Sequence, residues 1–131
     1  FSSDEFARAF APVSTLIPVS APFHCNLMER ATIIMSKELK EINFRKSENI
    51  LISNVTANEI SNVDELKDLL IKQIENRVRW RESVINMIDK GVKQFIEIGP
   101  GKVLSGLVKR IDKDVSISSI NNEADIRSIK I

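Results

Sequence analysis

The chain has 131 residues, enough for one ordinary domain, and its 43% hydrophobic and 28% charged residues are a globular composition rather than that of a disordered segment. Its 19 Lys and Arg and 18 Asp and Glu are interleaved, for a net charge of +1, and with 6 Phe, 1 Trp and no Tyr they leave no nucleic-acid footprint. One cysteine excludes an internal disulfide framework, and no apolar run suits a membrane span or a signal peptide, so the expected location is cytoplasmic.

The chain opens FSSDEF, without an initiator methionine, and is expected to be part of a longer protein. Residues 4–10 (DEFARAF) read as the last turns of a helix, and 14–20 (STLIPVS) as a short buried strand. Pro18 would sit at an edge or bulge of that strand, because it cannot donate to a ladder. From Asn26 the period changes. Leu27, Ala31, Ile34, Met35, Leu39 and Ile42 fall at three- and four-residue steps, which predicts a helix of about four turns.

NILISNV (49–55) reads as a buried strand, and NVDELKDLLIKQIE (62–75) as a helix capped by Asn62 or Asp64. RWRESVINMIDKG (79–91) is a helix closed by Gly91. Then VKQFIEIGPGKVLSGLVKRI (92–111) reads as strand, glycine turn and helix, VSISSIN (115–121) as a strand, and EADIRSIKI (123–131) as a short helix. Strands alternating with helices predict an α/β fold with a mostly parallel sheet. Three or four strands make a thin sheet, so further sequence is expected to supply neighbours.

Three features carry candidate chemistry. His24, in VSAPFHC, is the only histidine, and its ordinary pKa of about 6.5 suits proton exchange near neutrality. Beside a helix start the neutral imidazole of a general base would be favoured, yet a lone histidine after a strand also reads as structural. Zinc is poorly served, since Cys25 is adjacent and no other His or Cys exists. IGPGK (98–102) places glycines before a helix start, where a phosphate can be cradled, but the P-loop spacing is absent and a tight βα turn is the favoured reading. Lys102, Lys109 and Arg110 put positive charge near both ends of that helix, either as a solvated face or for an acidic partner. No Gly-x-Ser-x-Gly nucleophile elbow occurs, so a base at His24 would need a nucleophile from elsewhere.

Taken together, IPVSAPFHCNLM (17–28), ISNVTA (52–57), LIKQIENRVRWRESV (70–84) and FIEIGPGKVLSGLVKRI (95–111) closely resemble the C-terminal part of the malonyl-CoA:acyl carrier protein transacylase family of bacterial fatty-acid synthesis. The resemblance covers roughly residues 16 to 131. It implies the C-terminal portion of an α/β-hydrolase-like acyltransferase core (17–131), preceded by the tail of a small ferredoxin-like insert (1–16). It also implies a ping-pong reaction, in which a serine takes malonyl from malonyl-CoA and passes it to the phosphopantetheine thiol of acyl carrier protein. No cofactor beyond the coenzyme A thioester is implied.

By the same resemblance His24 is the general base, oriented by the main-chain carbonyl of Gln73 in IKQIENRVRW, while Asn54 lines the substrate pocket. Phe23 goes with malonyl rather than methylmalonyl selectivity, and Trp80 is core. Lys102, Lys109 and Arg110 would meet the acidic acyl carrier protein. The family's serine, its malonyl-binding arginine and its oxyanion hole lie upstream, so this segment by itself should be inactive and depend on the missing N-terminal half. The alternatives are a non-catalytic segment that binds acyl carrier protein, or a family member with another acyl selectivity.

Overall fold

The computed structural model describes residues 22–129. The expected helix at 4–10, the strand at 14–20 with Pro18, the insert tail at 1–16 and the final two residues lie outside the described residues.

The chain enters through a 3-10 turn, Asn26–Met28, that runs directly into α1, Glu29–Glu41. The predicted four turns are therefore present, but the three- and four-residue stripe is not buried as a whole. Leu39 is buried, whereas Leu27, Ile34, Met35 and Ile42 remain exposed. Only α2, Val63–Lys72, packs on α1 among the described elements, and one helix covers only part of a stripe that spans two faces.

The expected strand at 49–55 is a correction. Ile50 and Leu51 are exposed, and among the described residues pairing is limited to one antiparallel bridge between Ile52 and Glu59. The main chain turns back on itself instead. Ser53 N donates to Asn58 O at 2.9 Å and Ile60 N to Leu51 O at 2.9 Å. Within the turn the Ser53 hydroxyl accepts from Val55 N and Thr56 N, a local alternative to a ladder that serine offers and Val or Ile cannot.

α2 starts where the capping residues predict. Asn62 has extended backbone and its Oδ1 accepts from Glu65 N at 2.9 Å, so Asn62 rather than Asp64 is the cap. α3 spans Trp80–Asp89 and ends before Gly91, whose φ of +94° is the left-handed conformation that stops a helix cheaply only at glycine. β1, Gln94–Ile98, α4, Val103–Ile111, and β2, Ser116–Ile120, form the βαβ unit, and α5, Glu123–Ser128, follows. β1 and β2 pair in parallel, Phe95 with Ile117 and Ile98 with Ile120. Among the described residues the sheet has these two strands, fewer than the three or four expected.

The core lies between α3, α4 and the sheet. Val84, Val108 and Val115 are its centre, with Trp80, Met87, Ile88, Phe95, Ile111 and Ile117 packed around them. Trp80 is a core residue, as expected. The loop at 53–60, which precedes α2, is tied to α3 and its two ends. Arg79 N donates to Asn54 O at 2.8 Å, Asn86 Nδ2 to Ala57 O at 2.8 Å, and Lys90 pairs with Glu59 at 2.6 Å.

Candidate functional site: His24 at the end of α2

Helix α2 stops at Lys72, and Gln73 caps it with helical backbone angles while its N–H still bonds to Leu69 O. Carbonyls of a last turn have no partner within the helix. Here two consecutive ones are taken by one residue. His24 N donates to Ile74 O at 3.2 Å, and His24 Nδ1 lies 2.6 Å from Gln73 O.

A carbonyl can only accept, so Nδ1 carries a proton, and in the neutral ring Nε2 is left with the lone pair. The ring is exposed, and Nε2 is the atom able to take a proton. The sequence placed His24 beside a helix start. In the fold its bonded neighbour is the carbonyl end of α2. His24 also has a φ of +61°, a left-handed conformation uncommon for a side chain of this size, which persists only where surrounding bonds hold it.

Asn54 reaches the same point from the loop. Its Nδ2 donates to Gln73 Oε1 at 3.2 Å, so His24, Gln73 and Asn54 form one connected group. Asn54 and Gln73 also line a cavity of about 210 Å³ with Leu51, Ile52, Leu66 and Leu69. Phe23, 55% exposed, precedes His24. The free thiol of Cys25 donates to Pro22 O at 3.1 Å.

The three expected partner-binding cations do not come together. Lys102 is exposed at the start of α4, while Lys109 and Arg110 are at its far end, about 10 Å along the axis. Lys109 is exposed as well, and its Nζ donates to Lys113 O at 2.6 Å. Arg110 instead shares an open groove of about 550 Å³ with Arg77, Arg81 and Trp80. The sequence reading passed over Arg77 and Arg81, although their signal is present in NRVRWRE, a cation at every second residue.

Two N–H groups of the glycine turn before α4 are already taken by the protein itself. Gly99 N donates to Ile120 O at 3.0 Å and Gly101 N to Asn121 Oδ1 at 2.6 Å. Glu97 reaches past the turn to the helix start, Oε1 to Leu104 N at 3.1 Å and Oε2 to Ser105 N at 2.8 Å. The protein's own carboxylate thus occupies the anion position that the helix dipole creates. Hydrogen bonding by Ser105, with Leu104 N adding to it, holds the Glu97 carboxyl below the usual carboxylate range against the opposing effect of burial.

No family model matches the chain. The malonyl CoA-acyl carrier protein transacylase of Escherichia coli strain K12 is 40% identical over 105 residues, which are 80% of this chain and 34% of that protein. The Staphylococcus aureus enzyme of the same name is 37% identical over 111 residues, 85% of this chain and 36% of that one. An acyl carrier protein S-malonyltransferase from Vibrio cholerae superposes with a TM-score of 0.83 at 39% identity, covering 94% of this chain and 40% of the other. A malonyl-transacylase in complex with a type II PKS acyl-carrier protein superposes with a TM-score of 0.84 at 34% identity, over 95% and 40%. The chain spans about a third of the length of the curated relatives it matches. In sequence and in its α/β fold, the chain is the homologue of a segment of the malonyl CoA-acyl carrier protein transacylases.

Proposed function

We propose that the full-length protein transfers malonyl from malonyl-CoA to the phosphopantetheine thiol of acyl carrier protein in fatty-acid synthesis, with His24 as its general base. The observation that carries the reading is the 2.6 Å bond from His24 Nδ1–H to Gln73 O, found in a chain whose relatives bear that activity in their names.

The bond fixes the ring and leaves Nε2 as proton acceptor, the arrangement of nucleophile, base and orienter with a peptide oxygen in the third role. In the first half-reaction Nε2 takes the hydroxyl proton of a serine outside this chain while the serine oxygen bonds to the malonyl thioester carbon. The C–S bond then breaks, and the proton passes to the departing coenzyme A thiolate. The second half-reaction is the same exchange in reverse, with Nε2 taking the thiol proton of acyl carrier protein as its sulfur attacks the acyl-serine. No cofactor takes part.

Phe23, after the proline of SAPFH, supports malonyl over methylmalonyl. Lys102, Lys109 and Arg110, all exposed, supply positive charge for an acidic carrier protein. In the full-length enzyme His24→Ala is expected to lower serine acylation about 10³-fold, within the range of general-base effects, whereas Gln73→Ala keeps much of it because the carbonyl remains. Mass-spectrometric quantification of malonyl-serine after rapid mixing with malonyl-CoA reads this. Near-wild-type acylation by the His24 variant overturns the assignment.

A further inference from the structure

We infer that Asn54 is a positioning residue for His24, acting through the side-chain amide of Gln73; the inference rests on the reading of His24 as the base. Among the described residues both recorded bonds of His24 go to the end of α2, one from its main chain to Ile74 O and one from its ring to Gln73 O. A residue at φ +61° held from a single element depends on the order of that element.

That element is a helix end, the part of a helix that frays. The bond from Gln73 N to Leu69 O fixes one side of Gln73. The peptide that bears its carbonyl is also tethered on its nitrogen side, where Ile74 N donates to Ile71 O at 3.2 Å, the long end of the usual range. The Gln73 side chain adds a constraint from outside the helix, because its Oε1 accepts from Asn54 Nδ2 at 3.2 Å.

Asn54 is itself an anchored donor. Its carbonyl accepts from Arg79 N at 2.8 Å, at the start of α3, and Arg79 Nη1 donates to Thr56 O at 3.0 Å on the same loop. The preceding residue, Ser53, is 4% exposed and its oxygens accept from Val55 N, Thr56 N and Ala57 N. The turn is therefore pinned to α3, and Asn54 carries that rigidity across to the end of α2. This role differs from lining a substrate pocket. It predicts an effect on turnover rather than on substrate affinity, since misorientation of a reacting group lowers the rate of the bound complex.

The test uses full-length enzyme. Asn54→Leu removes the donor at similar volume, and Gln73→Met removes the acceptor while leaving the peptide carbonyl. Each is expected to lower kcat about fivefold with KM for malonyl-CoA unchanged, and the double variant to be no slower than either single one. Asn54→Asp should retain wild-type kcat, because the Gln73 amide can turn to donate to the carboxylate. In 15N-labelled enzyme the Nδ1 proton of His24 should give a sharp resonance in the wild type and Asn54→Asp, and a broadened one in Asn54→Leu.

Unchanged kcat and an unchanged resonance in both Asn54→Leu and Gln73→Met overturn the inference, as does a loss that appears only in KM or in melting temperature. Should Asn54→Leu fail to fold, Gln73→Met and the resonance decide alone. His24→Ala is measured beside them. If that variant stays active the base reading fails, whereas a dead His24 variant with a normal Asn54→Leu enzyme sinks only the positioning role.

Discussion

Glu97 is the side chain whose place in the fold differs most from its appearance in the sequence. In FIEIGPGK it stands in the strand of the strand, glycine turn and helix. In three dimensions it bridges the turn and binds two N–H groups at the start of α4. Its folded pKa is depressed, so its contribution is present above the unfolded carboxylate value of about 4.3 and is lost as pH falls through the folded one. Glu97→Gln is therefore expected to remove part of the acid sensitivity of full-length protein. Thermal melts from pH 7 to pH 3 should show the wild type losing more stability below pH 4.5 than the variant. Parallel curves would dismiss this role. Glu65 is lowered in the same direction, first by the Ser61 hydroxyl, and remains as a common background in both proteins.

At the scale of elements, helix starts were the most legible features. Asn62 and Asn122 both cap as their residue types predict, and Asn122 with Asp125 forms a full capping box. At α2 the Glu65 carboxylate also accepts from Ser61 N at 2.7 Å and the Ser61 hydroxyl at 2.6 Å, closing the start from both sides. Asn62→Ala should cost about 1 kcal/mol, seen as a lower urea midpoint at constant slope, and Asn62→Ser should be neutral. An unchanged midpoint for the alanine variant would refute the cap. The failure at 49–55 belongs to this scale too. An apolar run of four to seven residues has no period that tells strand from loop, and a strand needs a neighbour to supply its ladder. Ser53 turned the chain there before any ladder extended.

For the whole molecule, the telling observation is where apolar surface remains uncovered. Ile34 on α1 is 61% exposed, Ile98 at the end of β1 is 79%, and Val103 beside it is 72%. These positions lie on the inward stripe of a helix and at the end of a parallel strand, which fold classes of this kind normally cover on both sides. The 131-residue chain produced alone is expected to self-associate and to bind the dye ANS, whereas full-length protein runs as a defined species without dye binding. Light scattering on a sizing column checks this, and a dye-negative monomer of the short chain would contradict it. Among the described residues no helix is long and apolar enough to cross a membrane.

The sequence by itself determined the order and type of most elements, two of the helix caps and the resemblance that singled out His24 and Gln73, because periodicity, capping and motif are local properties of the chain. Only the tertiary structure brought the Gln73 carbonyl that the resemblance named to 2.6 Å from His24 Nδ1, and only it decided that Asn54 grips the Gln73 side chain, that Glu97 binds two N–H groups at the start of α4, and that Lys109 bonds to the Lys113 carbonyl. Those are meetings of groups up to 49 residues apart, and hydrogen bonding is directional over a few ångströms. Which donor meets which acceptor is set by how helices and strands pack, and spacing along the chain does not encode that distance.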